Sequence, residues 1–303
     1  MIELMAKKPL LLLDRFSPGA GWLQVLMVSS YAFVVAYNMQ DPAKTALWRQ
    51  RTWLFFSTVF FGQLLLGLFA SPIFLMSGKL HLPIPAMIVA APLYRGETSM
   101  MPFLFLSTIV LSGPAWCSHI CYFGGIDAFA ATGKTKKTPI KNKFGIKHTI
   151  LIVVITVSLL LRLFDVPAIW AASVALGFGL GGVAVIYLFS RKQGRMVHCT
   201  MYCPIGSIVQ YAKLMSPFRM QIGQDCSACG RCSNYCKYDA LNRTDILSHK
   251  PGLSCTLCGD CVVSCPSSSI KYKFFNFSGD FSRKAWLCIS VALHAITLTL
   301  ARI

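Results

Sequence analysis

Eight of the thirteen cysteines in this chain fall into two copies of one spacing near the C-terminal end. Each copy reads C-x2-C-x2-C-x3-C. The first is Cys226, Cys229, Cys232 and Cys236; the second is Cys255, Cys258, Cys261 and Cys265, followed by Pro266. Three closely spaced thiolates can hold three irons of one cubane cluster, and the fourth iron is reached from outside the triplet. On this rule the last cysteine of each run serves the other cluster.

This spacing is typical of a bacterial-type ferredoxin that carries two [4Fe–4S] clusters. We therefore predict one cluster on Cys226, Cys229, Cys232 and Cys265, and a second on Cys255, Cys258, Cys261 and Cys236. A structural zinc site would leave the third cysteine of each triplet redundant, and disulfides would need an oxidising compartment. Lys237 stands where the first run would usually carry proline, but that proline shapes the loop and is not a ligand.

The chain as a whole is too apolar for a soluble protein. Hydrophobic residues make up 55% of it and charged residues 13%, whereas soluble domains carry about 25% charged residues. Apolar stretches that approach the length of a bilayer span, about 20 residues, lie at 22–37, 53–75, 149–163 and 168–189. Shorter ones lie at 101–111 and 285–300, and the last of these either crosses the membrane or lies on its interface.

These patterns predict a mainly α-helical integral membrane protein with an internal repeat and about five to six apolar spans. A small α+β ferredoxin domain with two [4Fe–4S] clusters is attached to it. The predicted limits are an N-terminal segment with a span at 1–51, a repeat-containing membrane domain at 52–215, the ferredoxin domain at 216–278 and a C-terminal apolar helix at 279–303. Cys288, in that last helix, is expected to be a buried small residue.

The net charge of +18 is concentrated in short connections. The segment between the stretches at 101–111 and 149–163 carries six lysines: Lys134, Lys136, Lys137, Lys141, Lys143 and Lys147. The stretch at 168–189 is followed by Arg191, Lys192 and Arg195. Because cytoplasmic loops collect Lys and Arg, we predict a multi-pass protein of a bacterial or archaeal cytoplasmic membrane, with the ferredoxin domain on the cytoplasmic side. The lysine-rich segment is expected to be solvated and lipid-facing, or to dock an acidic electron donor. No recognition motif supports nucleic acid as a partner.

A second cysteine constellation repeats within the membrane domain. Cys117 and Cys121 lie in WCSHICYFGGIDAFA, and Cys199 and Cys203 lie in HCTMYCPIGSIVQYA; both segments read C-x3-C-x2-G-x-I-x2-aromatic-Ala. Residues i and i+4 share one face of a helix, so the two pairs could present four thiolates at one membrane surface. We predict an additional iron–sulfur cluster there, with packing cysteines or free thiols as the alternative. The aligned Gly124 and Gly206 would allow close backbone approach around it.

Taken together, the span ending in C-x3-C, the two-span hairpin, the second C-x3-C-P and the two ferredoxin runs resemble the NapH/NosR-type membrane polyferredoxins. The chain is also similar to proteins of the MauN and cytochrome-oxidase-assembly groups, over about residues 52–275. The first motif departs from the pattern, with Tyr122 in place of proline. The resemblance implies electron transfer between the cytoplasmic clusters and a quinone or a membrane reductase or dehydrogenase subunit, within a larger redox complex. An assembly factor that matures a partner reductase is the alternative.

No catalytic triad or nucleotide-binding loop is visible, so we expect a redox subunit and not a self-contained enzyme. His119 and His198 adjoin the C-x3-C motifs. They are candidates for hydrogen bonds to cluster sulfurs or for handling quinone protons, against the plainer alternative of residues satisfied by the backbone. No facing pair of histidines within the spans suggests haem.

Overall fold

The computed structural model describes residues 11–75, 82–97, 100–133 and 137–299. Its first part contains a short helix, α1 (Leu12–Phe16), and two long helices, α2 (Gly21–Gln40) and α3 (Pro42–Phe69). The Asp41 side chain accepts a hydrogen bond from the Ala43 backbone N–H, and Pro42 takes the first helical position. This cap separates α2 from α3, because proline is compatible with a helix start but not with the interior of a continuous helix.

The remaining helices of the membrane part include two more long ones. Helices α4 (Met87–Arg95), α5 (Met100–Ser112) and α6 (Tyr122–Ala130) come first in the chain. They are followed by α7 (Lys143–Leu163), α8 (Ala168–Val185) and α9 (Pro204–Ala212). The chain of α8 continues through a π-helical turn, Ile186–Ser190, and a last turn, Arg191–Gln193.

Four helices are long and apolar enough to cross a membrane by length and composition: Gly21–Gln40, Pro42–Phe69, Lys143–Leu163 and Ala168–Gln193. The stretch expected at 53–75 belongs to α3, which begins earlier, ends at Phe69 and runs through the predicted domain limit at 51/52. The stretch at 101–111 forms a short helix, and the one at 285–300 lies in a helix that is not among these four. The predicted count of five to six spans therefore stays a prediction.

The predicted ferredoxin domain, residues 216–278 and here called the ferredoxin part, contains a small antiparallel sheet. Strand β1 (Phe218–Ile222) pairs with β2 (Ile270–Phe274), which pairs with β3 (Phe277–Ser278). Three one-turn helices lie between β1 and β2: α10 (Arg231–Tyr235), α11 (Arg243–Leu247) and α12 (Asp260–Ser264). Alternate residues of β1 are buried, as expected for a strand with one face on the core. The sheet thus joins the two ends of the segment that carries both cysteine runs.

The last helix, α13 (Asp280–Thr299), runs antiparallel to α2. Near one end the Arg283 guanidinium donates to the Met39 carbonyl at 3.2 Å, and near the other the Gln24 side chain donates to the Thr299 carbonyl at 3.1 Å. Cys288 is exposed on this helix, so the expectation that it would be buried was wrong. The buried face of α13 is formed by neighbours such as Trp286, and Cys288 points away from it.

One hydrophobic core joins the ferredoxin part to the helices. It includes Met39 and Trp53 from α2 and α3, Phe218 and Tyr272 from the sheet, and Trp286 from α13. The Trp286 indole N–H also donates to the carbonyl of Ser112, at the end of α5, at 2.8 Å. The ferredoxin part therefore packs directly against the helical part and is not a separate domain at the end of a linker.

Candidate metal centres

The eight ferredoxin cysteines surround two cavities. Cys226, Cys229, Cys232 and Cys265 line one of them, here called the first ferredoxin site. Cys236, Cys255, Cys258 and Cys261 line the other, the second ferredoxin site. The two hollows hold about 320 and 330 Å³ of space, including a part open to solvent. In each, three cysteines of one run meet the last cysteine of the other run. This is the grouping that crossed ligation requires, and ligation itself stays a prediction.

The backbone of both runs is shaped alike around these cavities. Ala228 and Leu257, at matching places in the two runs, have positive φ values of 51° and 57°. The matching Gly230 and Gly259 also lie in the left-handed region, with φ values of 72° and 83°. Left-handed residues interspersed with right-handed ones turn successive N–H groups toward a common concavity, a device found at many iron–sulfur sites. The residues present therefore fit an anionic cluster at both ferredoxin sites.

The two ferredoxin sites differ in their exposure. At the second site burial raises the pKa of Cys236 to about 11 and that of Cys258 to about 12. At the first site Cys229 is exposed. Burial alone would raise the pKa of Cys265 as well, but hydrogen bonds from the Ser267 hydroxyl and from nearby backbone N–H groups lower it below its ordinary value. The first site therefore borders solvent, while three of the four cysteines of the second site are buried.

The two C-x3-C motifs have the same local conformation. Each motif forms one π-helical turn, at Trp116–Ile120 and at His198–Tyr202. The Cys121 N–H donates a hydrogen bond to the Trp116 carbonyl, and the Cys203 N–H donates one to the His198 carbonyl. Cys121 and Cys203 then become extended, with nearly equal φ and ψ values (−74° and 120°, −72° and 117°). The expectation of an ordinary α-helical turn was wrong, since the wider turn interrupts the helix and starts a new one directly after each second cysteine.

The four repeat cysteines come together at one place, here called the repeat site: Cys117, Cys121, Cys199 and Cys203. Each thiol is close enough to the others to act electrostatically on them. Burial, followed by the Cys203 thiol, raises the pKa of Cys117 to about 12, and burial also raises the pKa of the other three. Among the described residues, no three His, Cys, Asp or Glu side chains converge tightly enough for a single metal ion.

Iron binding requires thiolates, and the repeat site contains groups that stabilise them. The backbone N–H groups of Phe123 and Gly124, at the start of α6, hydrogen-bond to the Cys121 sulfur. Those of Ile205 and Gly206, at the start of α9, do the same for Cys203. A helix N-terminus carries a partial positive charge, so both helices lower the pKa of the thiol in front of them. The repeat site therefore also fits an anionic iron–sulfur cluster.

Both glycines of the repeat stand against a bulky side chain. A Cβ on Gly124 would lie 2.2 Å from the ring of Trp53, and one on Gly206 would lie 2.6 Å from the Lys147 ammonium. The close approach expected at these two positions is thus observed. In the first copy Trp53 of α3 packs onto α6, the helix that follows the cysteines. In the second copy Lys147 of α7 packs onto α9 in the same way.

The second ferredoxin site lies directly against the repeat site. Tyr238, which lines the second site, donates its hydroxyl hydrogen bond to the Cys117 carbonyl. The Ser118 hydroxyl donates to the carbonyl of Thr256, also in the wall of that site, at 3.0 Å. The Lys237 ammonium donates to the Ala128 carbonyl at 3.2 Å. The second ferredoxin site therefore adjoins the repeat site.

Buried ion pairs hold this junction together. Arg49 of α3 contacts Asp260 with a shortest N–O distance of 2.7 Å, and both side chains are buried. Asp239 pairs with Lys143 at 2.9 Å and with Arg195 at 3.3 Å. The sequence indicated Lys143 and Arg195 only as charges that set orientation, because their acidic partner, Asp239, is distant along the chain.

The expectation that the lysine-rich segment is solvated was wrong for part of it. Lys143 and Lys147 are buried, and the Lys137 ammonium donates to the carbonyl of Tyr235. The Asp239 carboxylate of the ferredoxin part binds the Lys143 ammonium, whereas Lys147 lies against Gly206 beside the repeat cysteines. Lys134 and Lys136 lie outside the described residues.

The two histidines beside the motifs are buried on the π-helical turns. His119 has its Nδ1 atom 2.9 Å from the Ser118 hydroxyl, and its ring meets the edge of Trp286. His198 stacks on Phe123. These contacts place both rings in the packing around the repeat site. Their hydrogen bonds to cluster sulfurs and their part in quinone chemistry stay predictions.

Comparison with known proteins bears on the repeat site in particular. Residues 98–147 and 172–220 both match the family described as Fer4_5, 4Fe-4S binding domain. Each match contains one C-x3-C motif. The chain is also 33% identical over 76 residues to the "Putative electron transport protein YccM" of Escherichia coli (strain K12). That alignment covers 25% of this chain and 21% of the relative, and no solved structure matches the chain. The twofold match supports iron–sulfur binding by the repeated segment.

Proposed function

We propose that this protein is a membrane-bound iron–sulfur electron-transfer protein with three metal centres in a row. The first and second ferredoxin sites would each hold a [4Fe–4S] cluster, and the repeat site would hold a third iron–sulfur cluster. When bound, such clusters supply one-electron transfer without any further chemistry from the protein. The observation that carries the proposal is the contact of Tyr238 with Cys117, which joins the wall of the second ferredoxin site to the repeat site.

The arrangement suggests where partners would engage. The first ferredoxin site borders solvent, so a soluble donor or acceptor protein would exchange electrons there. The repeat site lies at the end of two apolar helices, so a quinone or a membrane reductase or dehydrogenase subunit would be served from it. The basic segments that lead into α7 and out of α8 pack against the ferredoxin part, and the positive-inside rule would put that side in the cytoplasm of a bacterium or archaeon.

The proposal is supported by the chemistry of the donor sets. All three sites offer four cysteines, and two of them surround a cavity shaped by left-handed residues. The third has two helix N-termini aimed at its sulfurs. The name of the E. coli relative agrees with electron transport, and we extend that role to this chain as part of the proposal.

The test is an iron count with EPR on the full chain, purified in detergent without oxygen. With a [4Fe–4S] cluster at the repeat site, three clusters predict about twelve irons per chain, and the two ferredoxin clusters alone predict about eight. Replacing Cys117 and Cys199 together by Ala should remove about four irons and one EPR signal, while Cys288→Ala, on an exposed thiol outside all three sites, should remove none. A wild-type count of about eight would reject the third centre, and the absence of any cluster signal would reject the proposal.

A kinetic measurement separates a conduit from an assembly factor. If the chain carries electrons in turnover, a quinol or a low-potential donor should reduce all centres within catalytic times in a stopped-flow experiment. Reduction only over minutes, together with the loss of a partner enzyme in cells that lack the chain, would favour the assembly function instead.

A further inference from the structure

A buried lysine ammonium faces the sulfurs of the repeat site. Lys147, at the start of α7, is 4% exposed. Its charge acts on Cys117, Cys203 and Cys199. Its Nζ atom lies against Gly206, whose lack of a side chain provides the room.

No carboxylate pairs with this ammonium in the ion pairs of the described residues. Lys143, one turn earlier on α7, takes the Asp239 carboxylate at 2.9 Å. Asp127 is a buried acid beside the repeat site, but its Oδ2 atom accepts a hydrogen bond from the Cys199 N–H. The Lys237 ammonium is a cation whose charge acts on this carboxylate. A buried charge is costly unless it is paired. The anions left to compensate Lys147 are the thiolates of the repeat site.

The two halves of the repeat show that packing alone does not demand a cation here. In the first half the helix-start glycine, Gly124, meets the neutral indole of Trp53. In the second half the corresponding Gly206 meets Lys147. The same turn and the same glycine contact are thus made with and without a charge. On α3 the Arg49 guanidinium reaches the Ser118 carbonyl of the first motif, but it is paired with the Asp260 carboxylate. The long-helix cation whose charge acts on the repeat thiols is Lys147 of α7.

We infer that Lys147 is a positioning residue that supplies a fixed positive charge to the repeat site and raises the reduction potential of the cluster held there. This inference rests on the proposed function. Reduction adds one electron, hence one negative charge, to the centre; the electron comes from the ferredoxin sites, and no bond forms or breaks. A nearby cation favours the more negative state, and net charge is one of the properties that set cluster potentials.

The experiment is an anaerobic redox titration followed by EPR on the full-length protein, with an iron count for each variant. Lys147→Gln removes the charge, Lys147→Arg keeps it, and Lys141→Gln removes one charge from an exposed position of the same segment. With Lys147→Gln the reduction equilibrium of the repeat-site centre should shift at least tenfold toward the oxidised form, which is 59 mV for one electron. Lys147→Arg and Lys141→Gln should stay near the wild type.

The outcomes separate charge from packing. Loss of the repeat-site irons in Lys147→Gln but not in Lys147→Arg would also support the inference, since the variant that keeps the positive charge keeps the irons. An unchanged potential in an iron-loaded Lys147→Gln protein would overturn it. So would iron loss in both variants, which would reveal a packing role. A wild-type protein with about eight irons would reject the third centre itself and the inference with it, and this outcome is read from the wild type alone.

Discussion

The hydroxyl of Tyr238 donates a hydrogen bond to the backbone carbonyl of Cys117, so a residue of the ferredoxin part directly contacts a cysteine of the membrane part. Tyr238 follows Cys236 by two positions, and its side chain is buried. One short segment therefore contributes both to the wall of the second ferredoxin site and to its attachment to the repeat site.

Removing that hydroxyl should weaken the contact between the two parts without removing iron from the metal sites. We expect Tyr238→Phe to keep its irons and to destabilise the protein by about 1–3 kcal/mol, because a buried carbonyl loses its partner. Thermal unfolding in detergent measures the change. Tyr235→Phe, on an exposed ring of the same segment, is the control and should unfold close to the wild type. Equal shifts in the two variants would show that the Cys117 contact has no special weight.

Crossed grouping of the ferredoxin cysteines predicts which cluster each variant loses. Cys236→Ser should abolish the cluster of the second ferredoxin site, although the other three cysteines there belong to the other run. The iron count should fall by about four, and magnetic coupling between the two ferredoxin clusters should disappear from the EPR spectrum. Cys265→Ser should do the same to the first ferredoxin site. Loss of the cluster that shares the run of the altered cysteine would contradict the grouping.

The buried pair of Arg49 and Asp260 should matter far more than a pair on the surface. Arg49→Met leaves Asp260 buried without its partner, and we expect a loss of about 3–5 kcal/mol in stability. Lys44→Met breaks the Lys44–Asp41 pair, whose side chains are 59% and 45% exposed, and should cost less than about 1 kcal/mol. Thermal unfolding of both variants decides the matter, and similar shifts would argue against a stabilising role for the buried pair.

The glycine that adjoins Trp53 should not tolerate a methyl group. In Gly124→Ala the new Cβ would lie 2.2 Å from the indole ring, so α6 must move away and take the N–H groups that face Cys121 with it. We expect loss of about four irons, those of the repeat site, with the ferredoxin sites retained. Gly62→Ala on α3, where a Cβ meets nothing within 4 Å, should keep all irons and gain up to about 1 kcal/mol in helix stability. Full iron content in Gly124→Ala would refute the close-approach argument.

The cysteines that line each ferredoxin cavity are the ones that their spacing groups together, and their ligation of clusters stays a prediction. Three closely spaced thiols of each run serve one cluster, so the last cysteine of the run is expected to serve the other cluster. A motif that recurs in an internal repeat is expected at equivalent places in the two halves. The π-helical turns carried no comparable signal, since i and i+4 positions are also neighbours on an ordinary helix. What the spacing of Cys117 and Cys121 indicated was their proximity, and not the backbone that produces it.

The contacts between the two parts of the molecule could not be read from the sequence, because they join residues far apart in the chain. Lys237 is the clearest case. In the sequence it is merely a departure from the usual proline, whereas in the structure its ammonium reaches the Ala128 carbonyl and its own carbonyl accepts from the Met196 N–H at 2.9 Å. The spacing of Lys143 and Lys147 was a usable hint, since two lysines one turn apart at the start of an apolar helix share a face.

The pairing of α13 with α2 has a consequence for how this protein meets its partners. The segment with the two ferredoxin sites enters from α9 at one end and returns into α13 at the other, and Arg283 fastens that return to the end of α2. A domain held at both ends cannot swing out to collect an electron and swing back to deliver it. We therefore expect a stationary relay, which exchanges electrons with a mobile soluble carrier at one fixed face of the ferredoxin part.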